Sequence, residues 1–431
     1  MKISKKLFYF LFVFLLVFTF AGCTKKETEE TVAPTKTQTK QEEPTKVVTP
    51  VKNESISFSI KVVDIDGEEL GSKDIVTDES FDGNLFTELC KNFEVEYSNS
   101  DYGPYITSIN GSVVDGNYYL AFYENHEYSM VGVSSAVVDD GDVFEFVVET
   151  WQPYDDVDKL VDKVIYSMLK NNLNDYFLES GFSYPLLASL SKACHAESYG
   201  YSLYDESVYN LNINYKDNYI QAYSGDLSNE VAISPLLRGA MVMNIYDSGN
   251  DTIEVGLNKL ELASLNNLFV APYYLMACSL NGTTPNSELM DSYEALLEYE
   301  KGSDSILLAL QAYQLYASDF ENFATVSEDV LAKQSAFLTE NGFNDEWGGV
   351  NSCSTAQLIL TLLAYGKDVR SYNDVDLVNV LLSYYKDGAF LYQADSTEAD
   401  MLYSSPQAFA ALISYKLCRD TGEFNNIYSS K

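Results

Sequence analysis

The sequence predicts a multidomain α+β protein: a small β-rich α+β domain over residues 54–150, followed by an (α/α)6 barrel over residues 155–431. Three observations predict it. Up to Trp151-Gln152-Pro153 the apolar residues alternate in short runs bounded by turn residues, and beyond it they recur at helical spacing. Six apolar segments, each opening on small or polar residues, start about 30–50 residues apart. More polar, amphipathic segments lie between them, as expected when a buried inner ring of helices alternates with a half-wet outer one.

The first 53 residues stand outside this scheme. Lys2, Lys5 and Lys6 precede an apolar run from Leu7 to Phe20, and Phe20-Ala21-Gly22-Cys23 ends it on small residues. That is the layout of a secretory signal, and the run is shorter than the ~20 residues of a spanning helix. It resembles the lipobox of bacterial lipoproteins. The resemblance implies a signal peptide over residues 1–22, membrane lipid attached through Cys23, and a chain held at the extracellular face of the membrane. Residues 23–53, rich in Thr, Lys, Glu and Pro, carry no aromatic residue and are broken by Pro34, Pro44 and Pro50. Such a segment buries too little apolar surface to order itself, so it reads as a disordered tether.

Charge narrows the partners. The chain has 27 basic and 64 acidic residues. With the lysines and glutamates before Glu54 set aside, the remainder is near −41, about the charge that repels nucleic acid and anionic lipid headgroups. Beyond Cys23 come Cys90, Cys194, Cys278, Cys353 and Cys418, an odd set without a CxxC pair and with apolar neighbours. They read as small buried hydrophobes rather than a disulfide framework. With only His126 and His195, no histidine-based zinc site is expected.

Within the β-rich part, Ser57 to Val63 alternates and Asp66-Gly67 marks a turn. Leu85 to Phe93 is the one helical stretch. Tyr105 to Ile109, the aromatic run Tyr118 to Tyr123, and Val143 to Val148 read as further strands. The ordered motifs Tyr105-Ile106-Thr107-Ser108-Ile109-Asn110-Gly111, Tyr118-Tyr119-Leu120-Ala121-Phe122-Tyr123-Glu124-Asn125, Val131-Gly132-Val133 and Asp140-Gly141-Asp142-Val143-Phe144 resemble the C-terminal β-domain of transcobalamin and intrinsic factor. Two positions depart from that family: Leu120 stands in place of a Trp, and His126 in place of the glycine after the Asn. The first removes an aromatic that could face a ligand.

In the second part, the apolar segments open at Tyr184-Pro185, Ser234-Pro235, Ala271-Pro272, Ser303-Asp304-Ser305, Ser354-Thr355-Ala356-Gln357 and Ser405-Pro406-Gln407. The polar helices between them include Val157–Leu169, Ser287–Tyr299, Glu328–Leu338 and Asp376–Tyr385. Trp347-Gly348-Gly349, Ser354-Thr355-Ala356-Gln357, Leu363-Ala364-Tyr365-Gly366 and Pro406-Gln407-Ala408-Phe409 are similar to repeats of the prenyltransferase/squalene-cyclase-like α-toroid. The resemblance implies an (α/α)6 toroid. The enzymatic signatures of that group, a DxDD motif, an Asp-rich metal box and an Asp/Cys/His zinc set, are missing, so a non-enzymatic toroid is expected.

Candidate chemistry is sparse. Asp64-Ile65-Asp66-Gly67 opens like a calcium loop, but position 12 is Ile75, and a hairpin turn is the better reading. Asp345 and Glu346 are adjacent in sequence, which says nothing about opposition across a sugar. His126 and His195 read as ordinary hydrogen-bonded residues, and no metal site is expected. The 34 tyrosines suit a cleft for a large amphipathic ligand. Inner-helix starts point at one mouth of such a barrel, which makes Trp347, Asn351, Gln357, Tyr403 and Gln407 the candidate ligand-binding residues, with Tyr119 and Tyr123 on the aromatic strand.

The paired resemblances imply cobalamin or another corrinoid held in the cleft between the two domains and passed to a membrane transporter, with no catalysis. The competing expectations are a surface adhesion or scaffold protein that binds a protein or glycan, and a carbohydrate-active enzyme.

Overall fold

The computed structural model describes residues 55–100, 103–112, 117–172, 184–195, 267–424 and 426–429, with Leu237, Arg238, Met241, Leu257 and Leu265. The signal peptide, Cys23 and the tether lie outside the described residues, as do most of the Ser234 segment and the side chains of Cys194 and His195.

The alternation in Ser57–Val63 (β1) turns Phe58, Ile60 and Val62 inward. Glu69–Val76 (β2) pairs with it antiparallel across the Asp66-Gly67 turn, where Gly67 takes φ 81°. Leu85–Asn92 (α1) follows. Asn84 caps it by accepting from the Phe86 and Thr87 amides, and Leu85 and Leu89 lie against the sheet. Val95–Ser100 (β3) and Gly103–Ile109 (β4) form a separate hairpin. Tyr118–Glu124 (β5), Glu127–Tyr128 (β6) and Val143–Thr150 (β7) complete the main sheet in the order β2-β1-β7-β5-β6, with β1 and β7 parallel. Phe122 stacks on Phe146 at 5.0 Å and Phe58 meets Phe144 edge-on at 5.7 Å, which fills this core. The β-rich domain expected here is present. β2 and β3, both mostly exposed, carry no clean alternation, which is why the sequence pattern passes over them.

Leu120, where the resembling family has a Trp, packs half-buried against both the sheet core and the helical core. The expectation that Cys90 is buried is corrected: Lys91 follows it directly, and α1 turns it outward, where it is exposed. Cys278, Cys353 and Cys418 are buried, as expected.

The helices run Asp156–Ser167 (α2, extended by a π turn over Met168–Asn172), Tyr184–His195 (α3), Ala271–Asn281 (α4), Ser287–Leu296 (α5), Asp304–Gln314 (α6) and Phe323–Ser335 (α7). The short strands Leu338–Thr339 (β8), Gly342–Asp345 (β9) and Gly349–Val350 (β10) lead into Ser352–Ala364 (α8). After Leu377–Leu382 (α9), Tyr385–Lys386 (β11) and Ala389–Phe390 (β12) lead into Ser404–Thr421 (α10). Every residue of α8 is buried, as expected of an inner helix. Five apolar helices form an arc in which each packs on the next, in the order α3, α10, α8, α6, α4. The structure is thus α+β throughout. Five of the six apolar segments singled out in the sequence are described helices.

Ion pairs buried between α2 and α10, the first and last helices of the helical part, join the two parts. Lys416 and Arg419 of α10 reach Asp162 of α2 at 3.0 and 2.8 Å, and both also pair with Asp420. Tyr118 of β5 donates to the same Asp162 carboxylate. Tyr154 donates to Asp420 at 2.5 Å while Arg419 lies over the Tyr154 ring. Burial raises the Asp420 pKa, but Arg419 and Lys416 outweigh it and hold the carboxyl below its usual range. A second link runs from the Asp66-Gly67 turn, where buried Asp64 accepts from Tyr166 and Lys170 at 2.8 Å. These charges occupy the boundary where the sequence reading placed a cleft.

Two measurements check this account. Lys416→Met leaves buried carboxylates short of a cation and is expected to cost about 3–5 kcal/mol in urea unfolding. The β5–β6 loop has two residues, Asn125 at φ 53° and His126 at φ 69°, a geometry that favours Asn-Gly. His126→Gly is expected to raise stability by about 1 kcal/mol through relief of left-handed strain, net of the exposed His126–Glu145 contact. An unchanged or lower Tm would refute it.

Candidate functional site

The first turns of the apolar helices converge on one cavity of about 150 Å³. Tyr184 and Pro185 come from α3, Tyr273 from α4, Asp304, Ser305 and Leu308 from α6, Gln357 from α8 and Gln407 from α10. Arg238, from the Ser234 segment, and Tyr428, from the chain's end, close the wall. Each of the six segments singled out in the sequence therefore contributes a residue.

Placement follows from local structure. Asn351 caps α8 by accepting from the Ser354 amide at 2.8 Å, which fixes Gln357 one turn further on. Side chains tilt toward their helix N-terminus, so Gln357 reaches back into the cavity end. It is 6 % exposed, and its Nε2 has no hydrogen-bond partner. Leaving such a donor unmet costs about 1–3 kcal/mol. Arg238 lies over the Tyr273 ring at 5.0 Å. Tyr184 and Tyr428 stack at 5.4 Å, and burial drives both phenols well above their ordinary pKa, so they remain neutral donors.

Asp304 is the charged group on the opposite account. Burial, then the neighbouring Asp345 carboxylate, raises its pKa, while hydrogen bonds to Ser305 lower it less. A half-buried acid held above its usual range marks a place where charge is tolerated at a stability cost.

The other candidates disperse. Trp347 is 84 % exposed and Tyr403 is 42 % exposed. The Trp347-Gly348-Gly349 motif instead makes a tight turn, since a Cβ at Gly348 would overlap the Tyr392 hydroxyl and Gly349 sits at φ 64°. Asp345 is spent on that turn, accepting from the Trp347, Gly348 and Asp304 amides at 2.9–3.2 Å. Glu346 is bound by Lys301 and Tyr299. Tyr119 and Tyr123 lie on β5, where both donate to Glu149. His126 contacts Glu145 at 2.6 Å. Of the sequence candidates, only Gln357 and Gln407 line the cavity. Arg238, Asp304, Tyr184 and Tyr428 were missed. A lone cation and a lone acid in the first turns of otherwise apolar helices were the signals that could have found the first two.

Among the described residues, no group of three or more His, Cys, Asp or Glu side chains is arranged to hold a metal ion. No described helix is long and apolar enough to cross a membrane.

Comparison with known proteins bears on the β-rich part. Residues 82–150 match a family described as a domain of unknown function (DUF4430). A solved structure from Ruminococcus gnavus ATCC 29149, described provisionally as a metal-binding protein, aligns with 19 % identity and a TM-score of 0.20. The alignment covers 22 % of this chain and 99 % of that one. No curated protein matches.

The pH behaviour of Asp304 checks the site's electrostatics. Its folded pKa lies above the unfolded value, so its ionisation opposes folding once pH exceeds the unfolded carboxylate range, and fully so above the raised value. Asp304→Asn is therefore expected to raise Tm at pH 7, and the gain should vanish as pH falls toward about 4. A gain independent of pH would contradict the assignment.

Proposed function

We propose that this protein binds a small polar ligand in the cavity at the helix starts. The observation that carries the reading is the Nε2 of Gln357, a buried donor without a partner in a wall built from all six apolar segments. The five packed helices, together with Arg238 from the sixth segment on the same wall, support the closed (α/α)6 ring implied by the toroid resemblance. In this reading the N-terminal segment anchors the body outside the membrane through Cys23, and the chain captures its ligand without chemistry and hands it to a membrane transporter.

The corrinoid implied by the transcobalamin resemblance needs more room. Drug-sized ligands already occupy roughly 300–1,000 Å³, against about 150 Å³ here. A cavity of this volume suits a molecule of about one six-membered ring.

Thermal melting of the full-length chain against glycine, serine, small carboxylates, amines, monosaccharides and cobalamin tests the reading. At least one small compound is expected to raise Tm, by about 2.7 kcal/mol of stabilisation at a hundredfold excess over Kd. Gln357→Leu, which removes the unmet donor, is expected to fold at least as stably and to lose that response. A chain that responds to cobalamin alone, or to nothing, would overturn the cavity reading.

A further inference from the structure

The cavity wall combines two kinds of surface. Pro185, Leu308 and the rings of Tyr184, Tyr273 and Tyr428 are apolar, whereas Asp304, Ser305, Gln357 and Gln407 bring polar side chains. The polar groups sit on adjoining helices: α8 packs on both α6 and α10, and Gln311 of α6 donates to Thr361 of α8 at 3.0 Å. Asp304, at the first position of α6, accepts one side-chain hydrogen bond, from the Ser305 hydroxyl at 3.4 Å. That is longer than an ordinary O–H···O bond, and a carboxylate has room for about four donors. Gln357 has the opposite need. Its Nε2 hydrogens meet no acceptor, although the residue is only 6 % exposed.

The occupant must therefore offer an acceptor to Gln357 and a donor to Asp304 on one small frame. A hydroxyl can serve as either. A bare anion would set a second negative charge beside Asp304, a simple ammonium would leave the Gln357 amide unmet, and an unsubstituted apolar ring would satisfy neither. The volume of about 150 Å³ fits about one six-membered ring. Resting on the cavity reading above, we propose that the ligand is a neutral sugar of a single pyranose ring, one hydroxyl accepting from Gln357 and another donating to Asp304. Its C–H face lies against the tyrosines, of which Tyr184 and Tyr428 are held in place by their own stacking at 5.4 Å. Arg238, over the Tyr273 ring, closes the wall, and a neutral ligand requires no free countercharge from it.

The test is calorimetric titration of the full-length chain at pH 7 with D-glucose, D-galactose, D-mannose and N-acetyl-D-glucosamine. Cyclohexanol serves as a ring of the same size with one hydroxyl, and glycine, acetate and methylammonium serve as charged comparators. At least one sugar is expected to bind about tenfold or more tightly than cyclohexanol and every charged comparator. Removing single hydroxyls from that sugar should cost about tenfold at the position facing Gln357, and that penalty should disappear in Gln357→Leu. Asp304→Ala should abolish the penalty at a different hydroxyl, which keeps the assignment testable if Gln357→Leu fails to fold. Cyclohexanol binding as tightly as every sugar, or deoxy penalties unchanged in the variants that fold, would overturn the sugar assignment. A charged compound that raises Tm where no sugar does would also overturn it while leaving the cavity reading standing. Absence of any response across the panel would remove both.

Discussion

Asp162 is the point on which the arrangement of elements depends. It lies 3 % exposed on α2 and receives Arg419 and Lys416 from α10 and the Tyr118 hydroxyl from β5. A carboxylate so far from water is tolerable only where its partners stay in place. Lys416, Arg419 and Asp420 occupy one face of α10 at helical spacing, so the rotation of α10 about its axis is set by α2. α10 packs in turn on α3 and α8, and through α8 on α6 and α4. The same contact brings in the sheet through Tyr118, with Leu120 packed between the two cores. A tryptophan at Leu120 would need more room at that junction, which accounts for the small aliphatic residue there.

With α10 and α8 fixed, the first turns of the apolar helices meet at one end of the arc. Their apolar bodies fill the core, and the polar residues near their starts are left facing one another. Most of these polar groups are satisfied: Asn351 caps a helix, Asp345 collects three backbone amides, and Gln407 donates to the Tyr403 carbonyl. Gln357 leaves its Nε2 unmet, and Asp304, though bonded by Ser305, holds its charge against burial and a neighbouring carboxylate. A chain under selection for stability alone would replace both with apolar residues. Their retention in one cavity is the physical content of the binding proposal.

Much of the fold was legible in the residues. β1 begins and ends where its alternation does, α1 falls one residue short of its expected end, and the helices starting at Tyr184, Ala271, Asp304 and Ser404 lie on their apolar runs. The strands that escaped notice, β2 and β3, are exposed and so lack a two-residue period. The site was less legible. Trp347 and Tyr403 drew attention as aromatics at helix starts, but Trp347 belongs to a glycine-dependent turn and both project into solvent. Gln357 and Gln407 were found because the inner-helix starts pointed to them, whereas Asp304 passed unremarked as one more acid in an acidic chain.

The sequence by itself determined those strands and helices that carry a regular apolar face, because periodicity reports burial over one or two turns. It also determined that the six apolar helices open on small or polar residues. Only the tertiary structure decided which of those openings share a cavity and which charges neutralise one another. Arg419 and Asp162 are 257 residues apart, and Arg238 and Gln357, from separate segments, line one cavity. Pairings of that kind depend on how rigid elements stack, and no local spacing records it.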